Sequence, residues 1–187
     1  MSAIISPCGT YRYRLERGPF ENVGVLELDE DGVWEFRGKV IAFFGINPST
    51  ADASINDQTV MKWIGFCQRW RAQRFIVGNV SAYRATDVKE LANALITPDQ
   101  WRANLVQISR IIEDADVLVP CWGNRSKAPK HMRNDFDTVM AMLLTSGKPV
   151  MAFGITGSGD PKHPLMLGYD TKPIDLRPAR ITTEDGK

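Results

Sequence analysis

Cysteine and histidine are scarce in this chain, and neither occurs in a pattern that binds metal. The 187 residues include two histidines and three cysteines, Cys8, Cys67 and Cys121. The cysteines are far apart and no Cys-x-x-Cys is present, which argues against a disulfide framework and against a zinc or iron–sulfur site. We therefore expect reduced thiols in a cytoplasmic protein that uses no metal and no cofactor.

Long apolar runs, internal repeats and a strong net charge are also missing. No apolar run approaches the roughly 20 residues of a membrane span, and the first seven residues are too short and uncharged for a secretory signal. The formal net charge of +1 neither requires nor excludes nucleic acid, because a basic face can exist within a neutral total. We expect no membrane partner and a single domain over residues 1–187, with the oligomeric state open and a monomer favoured.

The N-terminal part of the chain carries the pattern of antiparallel strands. In residues 11–16, tyrosine and leucine alternate with arginine and glutamate, and a period of two is typical of a β-strand. Further along, Val23–Leu28 and Val33–Phe36 flank an Asp31-Gly32 turn and predict a β-hairpin. We expect residues 1–38 to form an antiparallel flap at the edge of the main sheet.

From residue 39 onward, apolar runs alternate with helical patterns. This alternation predicts a parallel sheet with helices on both faces. The predicted strands are Val40–Ile46, Phe75–Val80, Val117–Cys121 and Val150–Gly154, and the predicted helices are Asp57–Arg71, Val88–Asn93, Pro98–Glu113 and Asn134–Ser146. The expected fold class is α/β: a three-layer α/β/α core over residues 39–172 with a four-stranded parallel sheet, followed by a C-terminal tail, residues 173–187.

Polar and turn residues follow every predicted core strand. After the first strand come Asn47-Pro48-Ser49-Thr50, where Pro48 ends the strand and favours an extended Asn47. The corresponding residues of the other strands are Asn79 with Tyr83-Arg84, Trp122-Gly123-Asn124-Arg125, and a Gly-rich loop that leads to His163-Pro164. Because open α/β sheets bind ligands at the carboxyl ends of their strands, these four loops predict one binding site.

The same loops resemble the motifs of the uracil-DNA glycosylase superfamily. Gly45-Ile46-Asn47-Pro48 is similar to the first motif of the mismatch-specific thymine/uracil branch, Gly-Ile-Asn-Pro-Gly, with Ser49 in place of the last glycine. The segment Asn79–Leu91 is similar to that branch's Asn-Leu-Val-x-Arg-x-Thr segment with its trailing Glu-Leu. Trp122-Gly123 and His163-Pro164-Leu165 resemble loops of the uracil-specific branch, and all four agree in order and spacing over residues 40–167.

The chain as a whole also resembles a bacterial and phage family, the domain of unknown function 1643. Two stretches illustrate this resemblance: Cys8-Gly9-Thr10-Tyr11-Arg12-Tyr13 and Asn47-Pro48-Ser49-Thr50-Ala51-Asp52. That family carries no established activity, so the expectations about function come from the glycosylase motifs.

The glycosylase resemblance implies catalytic roles for residues at the strand ends. Asn47 stands where the family positions the attacking water, in place of the catalytic aspartate of the uracil branch, and an amide orients water but is no strong base. Asp52 or Asp57 would then supply the base, although Asp57 is also placed to cap the next helix. His163 stands where the uracil branch donates a hydrogen bond to the departing base.

Substrate-binding roles are implied for six further residues: Asn79, Ser49, Tyr83, Arg84, Trp122 and Leu165. Asn79 would read the base edge, Tyr83 and Trp122 would stack on an extruded base, and Leu165 with Met166 would wedge into the duplex. Turn formation and core packing are the ordinary alternatives for such residues.

The basic residues Arg125, Lys127 and Lys130 follow the third strand at the predicted binding edge. We expect them to bind nucleic acid, and a solvated charged loop is the alternative. Together these expectations describe a glycosylase that hydrolyses the N-glycosidic bond of a uracil-like, mismatched or modified pyrimidine. The alternatives are a hydrolase or transferase acting on a free nucleoside or nucleotide, and a non-catalytic nucleobase- or nucleic-acid-binding module. The expected partner is DNA, or a free nucleotide.

Overall fold

The computed structural model describes residues 1–20, 36–49, 51–94 and 96–177. The predicted hairpin of Val23–Leu28 and Val33–Phe36 lies outside the described residues, except for Phe36. Within the described residues no helix is long and apolar enough to cross a membrane.

Seven strands and three α-helices make up the regular structure of the described chain. The strands are β1 (Ser2–Ile5), β2 (Arg12–Arg17), β3 (Val40–Gly45), β4 (Arg74–Asn79), β5 (Val117–Pro120), β6 (Met151–Ala152) and β7 (Ile174–Asp175). The α-helices are α1 (Gln58–Arg69), α2 (Pro98–Asp114) and α3 (Arg133–Thr145), and short 3-10 helices cover Val88–Ala92, Arg125–Lys127, Lys130–Met132 and Pro164–Met166. The α/β class is therefore confirmed, and one predicted α-helix, Val88–Asn93, is a 3-10 helix.

The main sheet is mixed and has five strands in the order β1-β2-β4-β3-β5. The three inner strands β4, β3 and β5 run parallel, while β2 pairs antiparallel with β4 and β1 antiparallel with β2. The prediction of a four-stranded parallel sheet is wrong. The N-terminal strands extend the main sheet at its β4 edge, and the fourth predicted parallel strand is absent from it.

Proline explains why the Val150–Gly154 segment does not join the sheet. Val150 makes one isolated parallel bridge to Leu118, whose N–H donates to the carbonyl of Pro149 at 2.9 Å. In a parallel ladder the next bond on that side would come from the N–H of residue 120, and Pro120 has none. The segment instead pairs antiparallel with β7, where the tail had been expected.

Alternating side chains of the sheet divide the core into two clusters. Ile41 and Phe43 of β3 pack with α1, whereas Ala42 and Phe44 pack with α2 and α3. This is the two-residue period of a strand buried on both faces. Helices therefore cover both faces of the sheet, and its carboxyl edge stays open between them.

Helix starts follow the capping chemistry of the sequence. Asp57 is the N-cap of α1 and accepts a hydrogen bond from the Val60 N–H at 2.8 Å. Thr97 and Gln100 form a capping box at the start of α2, with Pro98 in its first turn. The α1 cap places a carboxylate at the carboxyl edge of the sheet.

Candidate functional site

A cavity of about 420 Å³ lies at the carboxyl ends of β3, β4 and β5. Seven of the residues predicted for the site line it: Asn47, Ser49, Asp57, Asn79, Trp122, His163 and Leu165. They reach one place because three parallel strands end at one edge, and the loop after β6 folds back over it. Six other predicted residues do not line it: Asp52, Tyr83, Arg84, Arg125, Lys127 and Lys130.

Asn79 is the last residue of β4 and is only 3% exposed. Its side-chain Nδ2 is buried and has no hydrogen-bond partner. Gly45 lies opposite it in the parallel register, where a Cβ atom would stand 3.0 Å from Asn79 Oδ1. A buried amide donor without a partner costs free energy unless a ligand or water satisfies it. Asn79 therefore offers the cavity a donor that the rest of the fold does not use.

The amide group of Asn47 is held by the backbone. Its Nδ2 donates to the carbonyls of Pro48 at 3.0 Å and Ala85 at 2.8 Å. Both N–H bonds are used, so the group left for a ligand is Oδ1, an acceptor. Asn47 can therefore hold a water or a ligand N–H, but it cannot donate to an oxyanion.

His163 offers its second ring nitrogen to the cavity as a donor. Its Nδ1 accepts a hydrogen bond from the Leu165 N–H at 3.3 Å, which leaves the proton of a neutral ring on Nε2. Burial, followed by the positive charge of Lys127, lowers the pKa of His163 below its usual value. The ring is consequently neutral at pH 7, with an N–H on the nitrogen that its backbone bond leaves free.

The loop that carries His163 is anchored by Arg125. The Arg125 Nε donates to Asp160 Oδ1 at 2.7 Å, and Nη1 donates to Asp137 Oδ1 at 2.5 Å. Asp160 is 1% exposed, and Gly123 donates its N–H to Pro161 at 2.8 Å. Arg125 was expected to bind nucleic acid, but its guanidinium is engaged by these two carboxylates, so in the structure it positions a loop.

Lys127 and Lys130 are exposed on the 3-10 helices that follow. Neither lines the cavity. Lys127 nevertheless lies close enough to His163 to lower the pKa of its ring, so its charge acts at the cavity mouth.

The two candidate bases differ in position. Asp52 lies outside the cavity lining, and its Oδ1 accepts from the N–H groups of Ser54 at 2.8 Å and Ile55 at 2.9 Å. These bonds, that of Ser54 first, lower the pKa of Asp52. Asp57 lines the cavity while it caps α1. Sequence reasoning favoured a capping role for Asp57, and the structure adds a carboxylate at the site.

The two predicted stacking residues lie on different sides of the β4 end. Trp122 lines the cavity, is 3% exposed, packs edge-on against Phe136 at 5.6 Å and leaves its Nε1 without a partner. Tyr83 turns away to meet Tyr11, with ring centroids 5.9 Å apart. Trp122 adds another N–H donor to the cavity wall, while Tyr83 belongs to a separate cavity.

Leu165 and Arg84 occupy peripheral positions. Leu165 is 37% exposed and lines the cavity at its outer side, and its neighbour Met166 is 90% exposed. Arg84 donates to the carbonyl of Gly9 at 3.2 Å, which ties it to the N-terminal segment. An apolar contact beside the mouth is therefore available, while Arg84 lies outside the lining.

Arg12 is a site residue that sequence reasoning missed. It comes from β2, lines the cavity and is 2% exposed. Its Nη1 donates to the Ala51 carbonyl at 2.5 Å, its Nε has no partner, and no carboxylate among the described residues pairs with it within salt-bridge distance. Burial lowers the pKa of Arg12 to about 10, and the charge of Asp57 opposes that shift. Within the described part of the chain, the cavity therefore contains a buried cation without a directly paired counter-ion.

Four lining side chains carry an N–H group that has no partner among the described residues: Arg12, Asn79, Trp122 and His163. Asn47 and Asp57 supply acceptors, and Ser49, Gln58, Thr59 and Thr86 can donate or accept. Such a wall suits a ligand rich in carbonyl or anionic oxygen atoms. Among the described residues no three His, Cys, Asp or Glu side chains form a group that could hold a metal ion.

Comparison with known proteins identifies a family. No curated protein and no solved structure matches the chain, so the resemblance to uracil-DNA glycosylases is supported by the motifs alone. A family model described as "Protein of unknown function (DUF1643)" matches residues 31–165, most of the chain, and the protein belongs to this family.

Proposed function

We propose that the protein hydrolyses the N-glycosidic bond of a uracil-like, mismatched or modified pyrimidine in DNA. The observation that carries this proposal is the buried, unpartnered Nδ2 of Asn79 in the same cavity as a neutral His163. An oxo-pyrimidine offers carbonyl oxygens to both donors. The N–H donors of Asn79 and His163 would stabilise the negative charge that such a base acquires as it leaves.

The chemistry requires charge stabilisation on one side of the bond and water on the other. As the bond between the sugar carbon C1′ and the base nitrogen breaks, its electron pair passes to the base, whose oxygens gain negative charge. Asn79 and His163 donate to those oxygens and stabilise the developing charge more than the neutral base. The products are a sugar with a hydroxyl group on C1′ and a base that has gained a proton.

Asn47 and Asp57 provide the acceptors for the water. Asn47 Oδ1 orients it, because both N–H bonds of that amide are already used. The Asp57 carboxylate, which lines the same cavity, takes the proton that the water loses. In this mechanism Asn47 and Asp57 together take the role of the single catalytic aspartate of the uracil branch.

A free nucleoside or nucleotide is the second candidate substrate, and Arg12 favours it. A buried guanidinium without a paired carboxylate suits a phosphate group, and the net charge of +1 gives little general attraction to DNA. In this alternative the same donors hold the base, while Arg12 holds the phosphate of a mononucleotide.

The test is a panel of oligonucleotides that each carry one altered pyrimidine, assayed beside the matching free nucleosides and nucleotides. Heating in alkali converts each abasic site into a strand break. Base release from an oligonucleotide supports the leading proposal, and release from the free compounds alone supports the second. Tight binding without release from any compound would identify a binding module instead.

Single-turnover rates then test the assignment of the donors. His163→Ala and Asn79→Asp should each slow base release by about 100-fold, the cost of one preorganised donor. The control is Asn93→Asp at the exposed end of the 3-10 helix Val88–Ala92, outside the cavity lining. Rates that survive both cavity substitutions would place the chemistry elsewhere.

A further inference from the structure

A second cavity of about 500 Å³ lies on the other side of the segment that follows β4. Its walls come from residues 80–83, from the first half of α2 and from the start of α3. Tyr11, Tyr83 and Trp101 supply aromatic surface, and Met132 adds an apolar contact. Planar aromatic walls of this kind favour a planar aromatic ligand.

The second cavity contains a buried acceptor that the fold does not use. Asn104 is 2% exposed, and its Nδ2 donates to the carbonyls of Asn79 at 3.1 Å and Val80 at 2.9 Å. Because those two bonds determine the orientation of the amide, Oδ1 is the atom left over, and it has no partner. A ligand N–H would satisfy it.

A carboxylate reinforces this preference for donors. Asp135, in the first turn of α3, is half-buried and lines the same cavity. Burial raises the pKa of Asp135, an effect that the charge of His131 opposes. The second cavity thus presents acceptors at Asn104 and Asp135, in a lining that also includes the polar side chains of Gln100 and His131.

We propose that the second cavity is a binding site for an aromatic heterocycle with an exocyclic amino group, the chemistry of adenine and cytosine. The aromatic walls hold the ring, and the two N–H bonds of the amino group donate to Asn104 Oδ1 and to the Asp135 carboxylate. A ring that carries no N–H donor leaves the buried acceptor unsatisfied. The site goes beyond the proposed base release, since it needs no bond to be cleaved.

The test compares methylated bases, which carry no sugar and no cleavable bond. 9-Methyladenine should bind about tenfold more tightly than 9-methylpurine, which has no amino group and no N–H donor, in calorimetry, the difference expected for one neutral hydrogen bond. Equal affinities would overturn the proposal, as would no binding of 9-methyladenine at millimolar concentration. Tighter binding of 1-methylindole, which lacks an amino group, would show an unspecific apolar pocket and would also overturn it.

Tryptophan indole signals locate the ligand. The chain has five tryptophans, and Trp101 and Trp122 line different cavities. In a nitrogen–proton correlation spectrum, 9-methyladenine should shift the indole signal of Trp101 and leave that of Trp122 in place. The signals are assigned with Trp101→Phe and Trp122→Phe. A shift of Trp122 without Trp101 would contradict the assignment of the site.

A matched pair of substitutions tests the carboxylate. Asp135→Ala should weaken 9-methyladenine binding several-fold. Asp99→Ala is the matched control, because it also removes a carboxylate from the first turn of a helix, here the exposed one of α2. It should leave 9-methyladenine binding unchanged. Unchanged binding by Asp135→Ala would remove that residue from the site and overturn the proposed recognition. Asn104 is left intact, because its substitution would also free two backbone carbonyls.

Discussion

At the scale of single residues, the cavity is defined by which polar atoms are already bonded. The Asn47 Nδ2 donates both of its N–H bonds to backbone carbonyls, whereas the Asn79 Nδ2 has no hydrogen-bond partner. Two asparagines with similar sequence contexts at strand ends therefore play opposite parts, one as an acceptor and one as a donor. The difference depends on carbonyls supplied by distant parts of the chain.

Asp57 and Asp52 give a direct test of which carboxylate acts on the water. Asp57→Asn keeps the oxygen that caps α1, so the helix should remain stable, but it removes the base. Under the proposed mechanism, single-turnover base release should fall by about 100-fold or more. Asp52→Asn keeps the oxygen that accepts from Ser54 and Ile55 and should leave the rate unchanged. A larger loss from Asp52→Asn would reverse the assignment.

His163 should make the stability of the protein depend on pH in the mildly acidic range. Its pKa in the folded protein is lowered from 6.5 by burial, so the unfolded chain binds the proton more readily. The stabilisation is complete above pH 6.5 and is lost as pH falls towards the folded-state pKa. The free energy of unfolding, measured by urea titration, should fall less steeply below pH 6.5 in His163→Gln than in the natural chain. Parallel curves would contradict the burial of the ring.

At the scale of elements, β2 both pairs in the sheet and stabilises the loop before α1 through the side chain of Arg17. Arg17 is 1% exposed and its guanidinium spreads over that loop. Its Nε donates to Asn56 Oδ1 at 2.6 Å, and Nη2 donates to the carbonyls of Asp52 at 2.5 Å and Ile55 at 3.0 Å. The loop ends at Asp57, so Arg17 supports the position of the cavity carboxylate without lining the cavity.

Replacing Arg17 by methionine should therefore destabilise the protein strongly. The side chain keeps much of its volume, but three part-buried acceptors of the loop lose their donor, at a total cost of roughly 3 kcal/mol. For a chain of this length that corresponds to a fall in Tm of about 10 °C, measured by circular dichroism. Arg110→Met, at an exposed position of α2, should change Tm little. An equally small change in Tm for Arg17→Met would show that the loop before α1 keeps its structure without the Arg17 side chain.

At the scale of the whole molecule, the cavity is assembled from parts that are remote in sequence. The family match begins at residue 31, yet β2 precedes it and supplies Arg12 to the cavity wall. β2 also covers the β4 edge of the parallel strands. The N-terminal strands are therefore part of both the main sheet and the candidate site.

The distribution of charge predicts how the protein would hold DNA. Under the proposed function, the exposed Lys127 and Lys130 contact phosphates. Replacing both with alanine should weaken DNA binding and reduce the slope of log affinity against log salt by about 2, with little effect on base release at saturation. Lys39→Ala, at the exposed start of β3 and thus at the opposite end of the sheet, should leave the slope unchanged. Equal salt slopes for the natural chain, the double lysine variant and Lys39→Ala would favour a free nucleotide over DNA as the substrate.

Local rules of the sequence were sufficient for the elements and for the placing of the central loops. Apolar runs and capping residues identified β3, β4 and β5 and all three α-helices to within about two residues, the usual margin of helix boundaries. Because parallel strands end at one edge, the same patterns also brought Asn47, Asn79 and Trp122 to one cavity. His163 follows β6 rather than a strand of the main sheet, yet its loop lies over the same edge.

Only the tertiary structure decided which polar groups are free and how the outer strands pair. Pro120 excludes β6 from the parallel sheet, because it has no N–H to donate to the Val150–Gly154 segment, about 30 residues further along the chain. Arg12 looks like the polar side of an alternating strand, but it is buried beside the segment after β4 and the loop before α1, where it donates to the carbonyls of Ala82 and Ala51. Arg125 is bonded to nearby carboxylates and Asp52 to nearby N–H groups, bonds that the sequence does not reveal, and their predicted site roles stay predictions. The sequence by itself determined the inner strands and the three α-helices, because those follow local preferences, whereas hydrogen-bond partners and burial arise only when distant segments meet.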